Sequence, residues 1–115
     1  MRISKIYKTC SCCPSQWEIE LSDGRMIYAR YRWGVLAVEQ SKKPTKNIYD
    51  AMEPDGELVL FGRVGNEMDG KMSTAFILEL LQSFGYKIDS SVWIECAIIE
   101  LRELRHEIKT RKIEI

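Results

Sequence analysis

The chain has no surplus of charge of either sign. Lysine plus arginine number 17 and aspartate plus glutamate number 17. No global basic field is therefore present to hold the protein on a long nucleic acid or an anionic membrane, and any anion site has to be built locally by clustering arginines. No apolar run approaches the ~20 residues that cross a bilayer, and the N-terminal MRISKIYK has no signal-peptide apolar core; a cytoplasmic protein is expected, without a membrane partner. Catalytic signatures are also missing. There is one histidine, His106, set among charges beside Glu103 and Glu107, and there is no GxSxG, HExxH or helix-opening GxGxxG. These absences point to a binding protein, not an enzyme, and no cofactor is implied.

Four cysteines are present, and Cys10, Cys12 and Cys13 crowd one Ser- and Pro-containing stretch, TCSCCPS. Three within four residues make a poor disulfide framework, and in a reducing compartment they stay thiols. A zinc site needs about four ligands, and the only other candidates, Cys96 and His106, lie far along the chain, so no metal site is expected.

At 115 residues, 45% apolar and 30% charged, the chain is a single domain over 1–115 with an ordinary globular composition. Residues 2–8 alternate weakly and form a first strand. The most informative stretch is Gln16 to Trp33, QWEIELSDGRMIYARYRW. Taking Asp23-Gly24 as a two-residue type I′ turn, Ile19 faces Tyr28 and Trp17 faces Arg30. Trp17, Ile19, Leu21, Met26, Tyr28 and Arg30 then share one sheet face. An indole beside a guanidinium is either a stabilising cross-strand pair or a platform on which a base stacks while the arginine reaches a phosphate. Further strands are expected at Val35 to Glu39 and Glu57 to Val64, with a short strand or turn from Ile48 to Met52.

The segment Gly65 to Thr74, GNEMDGKMST, places Gly65, Gly70 and Lys71 at P-loop spacing, but Met72 stands where that motif needs Ser or Thr to hold magnesium. Glu67 and Asp69 would also repel phosphate. A polar loop leading into a Ser73-capped helix fits better. That helix runs from Thr74 to Phe84, and Gly85 ends it. A second helix, capped near Asp89 to Ser91, reaches Lys112. Its stripe of Trp93, Ala97, Leu101, Leu104 and Ile108 is flanked by Arg102, Arg105, Lys109 and Lys112 on one side and by Glu100, Glu103, Glu107 and Glu114 on the other. This suits an antiparallel or two-fold-related helix pairing in which basic edges meet acidic edges. A homodimer or higher homo-oligomer is expected. The fold class is α+β, a five- or six-stranded mostly antiparallel sheet followed by two C-terminal helices.

On QWEIEL-SDGR-MIYARYRWG and the charged last helix, the chain resembles the phage-encoded anti-Thoeris sponge proteins. The resemblance implies a non-catalytic anti-defence protein that sequesters a cyclic ADP-ribose immune signal at a dimer interface, with cyclic oligonucleotides held at a separate site in larger assemblies. Carried onto this sequence, Trp17 would stack on adenine and Arg30 would contact phosphate, with Tyr28 beside them. Arg102, Arg105 and Lys109 of the last helix would join in, and Phe76, Phe84 and Asp89 are near matches for the family's aromatic and amide contacts. Gly24 and Arg25, with Arg63, would form the second site. The alternative class is a protein–protein inhibitor or adaptor using the same aromatic and arginine surface; a weaker one is an accessory protein on nucleic acid.

Overall fold

The alternation of QWEIEL and MIYARYR dictates two strands, but the turn between them decides which residues share a face. The computed structural model describes residues 1–66 and 70–111. In it β1 (Arg2–Cys10), β2 (Ser15–Leu21), β3 (Met26–Arg32), β4 (Val35–Gln40) and β5 (Glu57–Arg63) run antiparallel. A two-residue β6 (Lys87–Ile88) pairs parallel to β1, giving the order β5-β4-β3-β2-β1-β6. Helix α1 (Thr74–Ser83) precedes β6 and α2 (Ser90–Arg111) follows it. The α+β fold, with six strands mostly antiparallel and two C-terminal helices, is as expected. The stretch from Ile48 forms a single 3-10 turn, Ile48–Ala51, and no strand.

The β2–β3 connection differs from the expected turn. Trp17 pairs with Ala29, Ile19 with Ile27 and Gln16 with Arg30. The loop is closed by Leu21 N–H donating to the Arg25 carbonyl and Gly24 N–H donating to the Leu21 carbonyl, with Gly24 at φ +92°. This is a three-residue loop with a left-handed glycine, not a two-residue turn. The single added residue slips the register by one, and a one-residue slip transfers one strand's side chains to the opposite face relative to its neighbour. Trp17 and Arg30 therefore lie on opposite faces. The two-residue turn is found one connection later, at Trp33-Gly34, where both residues take positive φ (53° and 75°) as a type I′ turn requires.

The inner face carries Trp17, Ile19, Leu21, Ile27, Ala29, Tyr31, Leu36 and Val38, all buried. A register shift between Ile3 and Lys5 lets Ile3 and Ile6, three positions apart, both point inward. Helix α1 starts at Ser73, whose hydroxyl accepts the Phe76 N–H, and it buries Ile77, Leu78 and Leu81 on this face. Helix α2 lies along β1 and buries Val92, Cys96 and Ile99. The predicted seam of α2 is a different stripe: Leu101 and Leu104 are 57% and 53% exposed, pointing away from the sheet. Residues 112–115, which include Lys112 and Glu114, lie outside the described set.

Trp17 is fully buried and its indole N–H donates to Thr74 Oγ1 at 3.0 Å, tying the hairpin to the first residue of α1. Thr74→Val keeps the shape and removes the acceptor. The expected loss is about 1–3 kcal/mol, the desolvation cost of an orphaned donor, measured by urea unfolding. In a Trp17→Phe background the same substitution should cost much less.

Candidate functional site

Two surfaces gather the side chains that the sequence singles out, and the sheet separates them. On the helical side, the segment Gly70 to Ser73 is clamped between β1, β2 and α2. Ser15, fully buried, accepts the Met72 N–H at Oγ (3.1 Å) and donates its hydroxyl to the Ser11 carbonyl (2.6 Å). The Gly70 carbonyl accepts the backbone N–H groups of Cys13 and Ser15 at 3.2 and 3.0 Å. Lys8 points inward opposite Trp17. Its ammonium donates to the Met72 carbonyl at 2.9 Å and to Glu103 Oε1 at 2.7 Å, and it stands 5.2 Å from the Trp17 ring centroid.

This clamp leaves a groove of about 500 Å³ between α2 and residues 71–73, with Met72, Ala97, Leu101 and Leu104 as its apolar lining. Its three carboxylates are already engaged within the protein: Glu100 accepts the Ala75 N–H, Glu103 pairs with Lys8, and Glu107 pairs with Lys71 at 2.6 Å. A smaller hollow of about 240 Å³ shares Lys71, Met72 and Ser73 with the groove and adds Tyr31, Val64 and Phe76. Phe76 is 40% exposed there, its ring available to a planar ligand.

Across the exposed α2 stripe from the groove lies a basic edge. Arg102, Arg105 and Lys109 make no hydrogen bond or ion pair among the described residues. Within one protomer, this edge and the groove sit on opposite flanks of the stripe. The helix repeat places Ile94, Ala97, Leu101, Leu104 and Ile108 in an a/d pattern, with Glu100 on one flank and Arg105 on the other.

The outer face of the sheet carries the remaining aromatics and arginines. Gln16, Arg30, Ala37 and Phe61 form one row across four strands, and Arg32, Val35 and Arg63 form the next. Phe61 and Trp33 are 66% and 62% exposed. The Arg32 guanidinium lies 4.0 Å from the Trp33 ring centroid, and Arg63 Nη1 donates to the Trp33 carbonyl at 3.1 Å. The Tyr28 hydroxyl accepts from Gln16 Nε2 at 2.8 Å, and partial burial raises its pKa.

The predicted site residues are thus split. Trp17 is in the core and is closed to any ligand. Tyr28 and Arg30 are on the outer face, whereas Phe76 and the Arg102, Arg105 and Lys109 edge are on the helical side. Gly24 and Arg25 sit at the β2–β3 tip and Arg63 at the far end of the sheet, so they do not form one site. Arg25 is bound to Asp23 at 2.7 Å, and that hydrogen bond lowers the Asp23 pKa. Glu67 and Asp69 of the P-loop-like stretch lie outside the described residues; Lys71, its lysine, is held by Glu107. Among the described residues no cluster of His, Cys, Asp and Glu is arranged to hold a metal ion, and no helix is long and apolar enough to cross a membrane. Sequence reasoning missed Lys8 and Ser15, the residues that shape the groove. A lysine on the same face of β1 as the buried Ile6, two positions on, was the available signal.

No family model, curated protein or solved structure matches the chain.

The Lys8 side chain is 3% exposed and that of Glu103 is 18% exposed. Lys8→Ala leaves a carboxylate and a carbonyl without their donor, and a loss of about 3–5 kcal/mol is expected in denaturant unfolding. The double substitution Lys8→Met with Glu103→Leu should recover most of it.

Proposed function

We propose that the protein is a non-catalytic, cytoplasmic binder that sequesters a small cyclic nucleotide signal of the cyclic ADP-ribose type, in an anti-defence role, and that its site is completed by a second copy of the chain. The observation that carries this reading is the basic edge of α2, three cationic side chains with no partner among the described residues, set beside an apolar stripe that is exposed. In a parallel two-fold pairing, Ile94, Ala97, Leu101, Leu104 and Ile108 meet their own copies. Glu100 then comes alongside Arg105 of the partner subunit. An antiparallel pairing would set flanks of like charge against each other, so the parallel form is the one proposed. The parallel arrangement brings guanidinium groups to the rim of the groove; Lys71 lines both the groove and the adjoining hollow, where Phe76 offers a ring. Rings for a base and forked cations for phosphate are the chemistry an anionic nucleotide needs.

The outer face supports a second reading. There Trp33 and Phe61 are exposed beside Arg30 and Arg32, and Trp and Arg are residue types enriched in protein–protein hot spots. An adaptor or inhibitor would dock there.

The test is depletion. The protein is incubated with cyclic ADP-ribose isomers and cyclic di- and trinucleotides, then denatured, and the released ligand is assayed. Intact ligand recovered in proportion to protein is expected; a cleaved product would make the protein an enzyme, and no depletion or thermal shift with any ligand would remove the nucleotide reading. Phe76→Ala should weaken binding about tenfold or more, since a base–aromatic stack contributes about 1–3 kcal/mol. Arg105→Ala should weaken it with little change in melting temperature. Leu101→Glu should give a monomer by sedimentation that no longer depletes ligand; a monomeric variant that binds as well as the parent would show that one copy suffices.

A further inference from the structure

Independently of the nucleotide reading, three of the four cysteines fall in one exposed loop to which nothing above gives a role. Contrary to the expectation that all three stay thiols, Cys12 and Cys13 form a disulfide between adjacent residues, and both are exposed. Cys10 is a free, half-buried thiol whose Sγ donates to the Cys12 carbonyl at 3.4 Å. The fourth cysteine, Cys96, is 4% exposed, and burial first, then the nearby Glu100, push its thiol up to about 11. Cys96 is therefore a protonated, inaccessible thiol at neutral pH, and sulfur chemistry in the folded protein is confined to the loop.

That loop is fastened to the groove. The Cys13 N–H donates to the Gly70 carbonyl at 3.2 Å. The Ser11 carbonyl accepts the Ser15 hydroxyl, which in turn accepts the Met72 N–H. Contact is close enough that a Cβ on Gly70 would fall 3.2 Å from Cys13 Cα. The state of the Cys12–Cys13 link thus bears directly on residues 70–72, which precede the Ser73 cap of α1.

We propose that residues 10–13 form a thiol–disulfide exchange site for low-molecular-weight thiols, and that the Cys12–Cys13 disulfide latches the 70–72 segment. The thiolate of a small thiol attacks Cys12 Sγ. The Cys12–Cys13 bond breaks, its electron pair goes to Cys13 Sγ, and Cys13 takes up the proton that the small thiol gave up. Cys10 then gives up its proton and its sulfur attacks Cys12 Sγ of the mixed disulfide; the bond to the small thiol breaks, a Cys10–Cys12 bond forms, and the small thiol leaves with that proton, unchanged. One disulfide replaces another with no net gain or loss of electrons, and Cys13 is left as a free thiol. Full reduction takes two electrons from a further reductant, such as a second small thiol or a phosphine, and gives three loop thiols.

The full chain, prepared without reductant, is labelled with N-ethylmaleimide under native conditions and mapped by mass spectrometry. One loop cysteine, Cys10, is expected to label before reduction and all three after tris(carboxyethyl)phosphine, with Cys96 labelling only on denaturation. Amide hydrogen exchange at Cys13 and Met72 should quicken at least tenfold on reduction while the α1 amides of Ile77 to Leu81 stay protected. With glutathione as the probe, Cys10→Ser should retain a glutathione adduct that the parent chain resolves. A Cys12→Ser, Cys13→Ser variant should exchange quickly with or without thiol; if that variant does not fold, the labelling and exchange of the parent chain decide. Labelling of all three loop cysteines in air-oxidised protein, or equal exchange at Met72 in both states, would overturn the proposal.

Discussion

The ammonium of Lys8 is the interaction on which the helical side of this protein depends. It stands among apolar side chains, where an unpaired charge would be costly, and three groups from three parts of the chain compensate it: the Glu103 carboxylate, the Met72 carbonyl and the face of Trp17. Together they fix where α2 lies along β1, where the approach to α1 runs, and which way the Trp17 indole points so that it reaches Thr74. The groove is the space left between elements held in this way. Its walls are set by a buried ion pair and a buried hydroxyl, Ser15, and its apolar lining fills in around them.

The sheet divides the molecule into two surfaces with different chemistry. On one, Glu100, Glu103 and Glu107 of α2 hold neighbouring groups of the fold, while Arg102, Arg105 and Lys109 have no partner among the described residues and Leu101 and Leu104 are exposed. On the other, arginines and aromatic rings stand in rows fixed by strand register, with Arg32 over Trp33 and Arg63 bound to the Trp33 carbonyl. Both surfaces join cations to planar or apolar groups in a chain of zero formal charge. Local clustering therefore supplies what net charge does not, and the absence of a broad basic field suits a compact anionic ligand better than a polynucleotide.

Much of the fold was legible because it rests on local pattern. Alternation marked β2 and β3, and β-branched and aromatic character marked β5; Ser73 and Gly85 bracketed α1; and the helical repeat from Ser90 onward marked α2. The site was less legible, and one residue explains much of the difference. Asp23-Gly24 admits both a two-residue turn and a three-residue loop with the glycine left-handed, and these differ by one position in register. The structure takes the second, Trp17 goes to the core, and the expected Trp17–Arg30 pair is divided between two faces. In α2 the chain carries two apolar stripes, and the more regular one, with Leu101 and Leu104, is the one turned to solvent.

The sequence by itself determined β1 to β5, the two helices, their order, the Ser73 cap and the supply of arginines and rings, since each follows from side-chain character, periodicity or the conformational demands of single residues; β6, two residues long, has no such signal. Only the tertiary structure decided which face each strand turns inward, which stripe of α2 is buried, and that Lys8 and Ser15 shape the groove. Those outcomes depend on contacts between residues far apart in the chain, such as Lys8 with Glu103 and Ser15 with Met72. Periodicity does not carry such contacts; they form when burial leaves a charge or a donor that must find its partner.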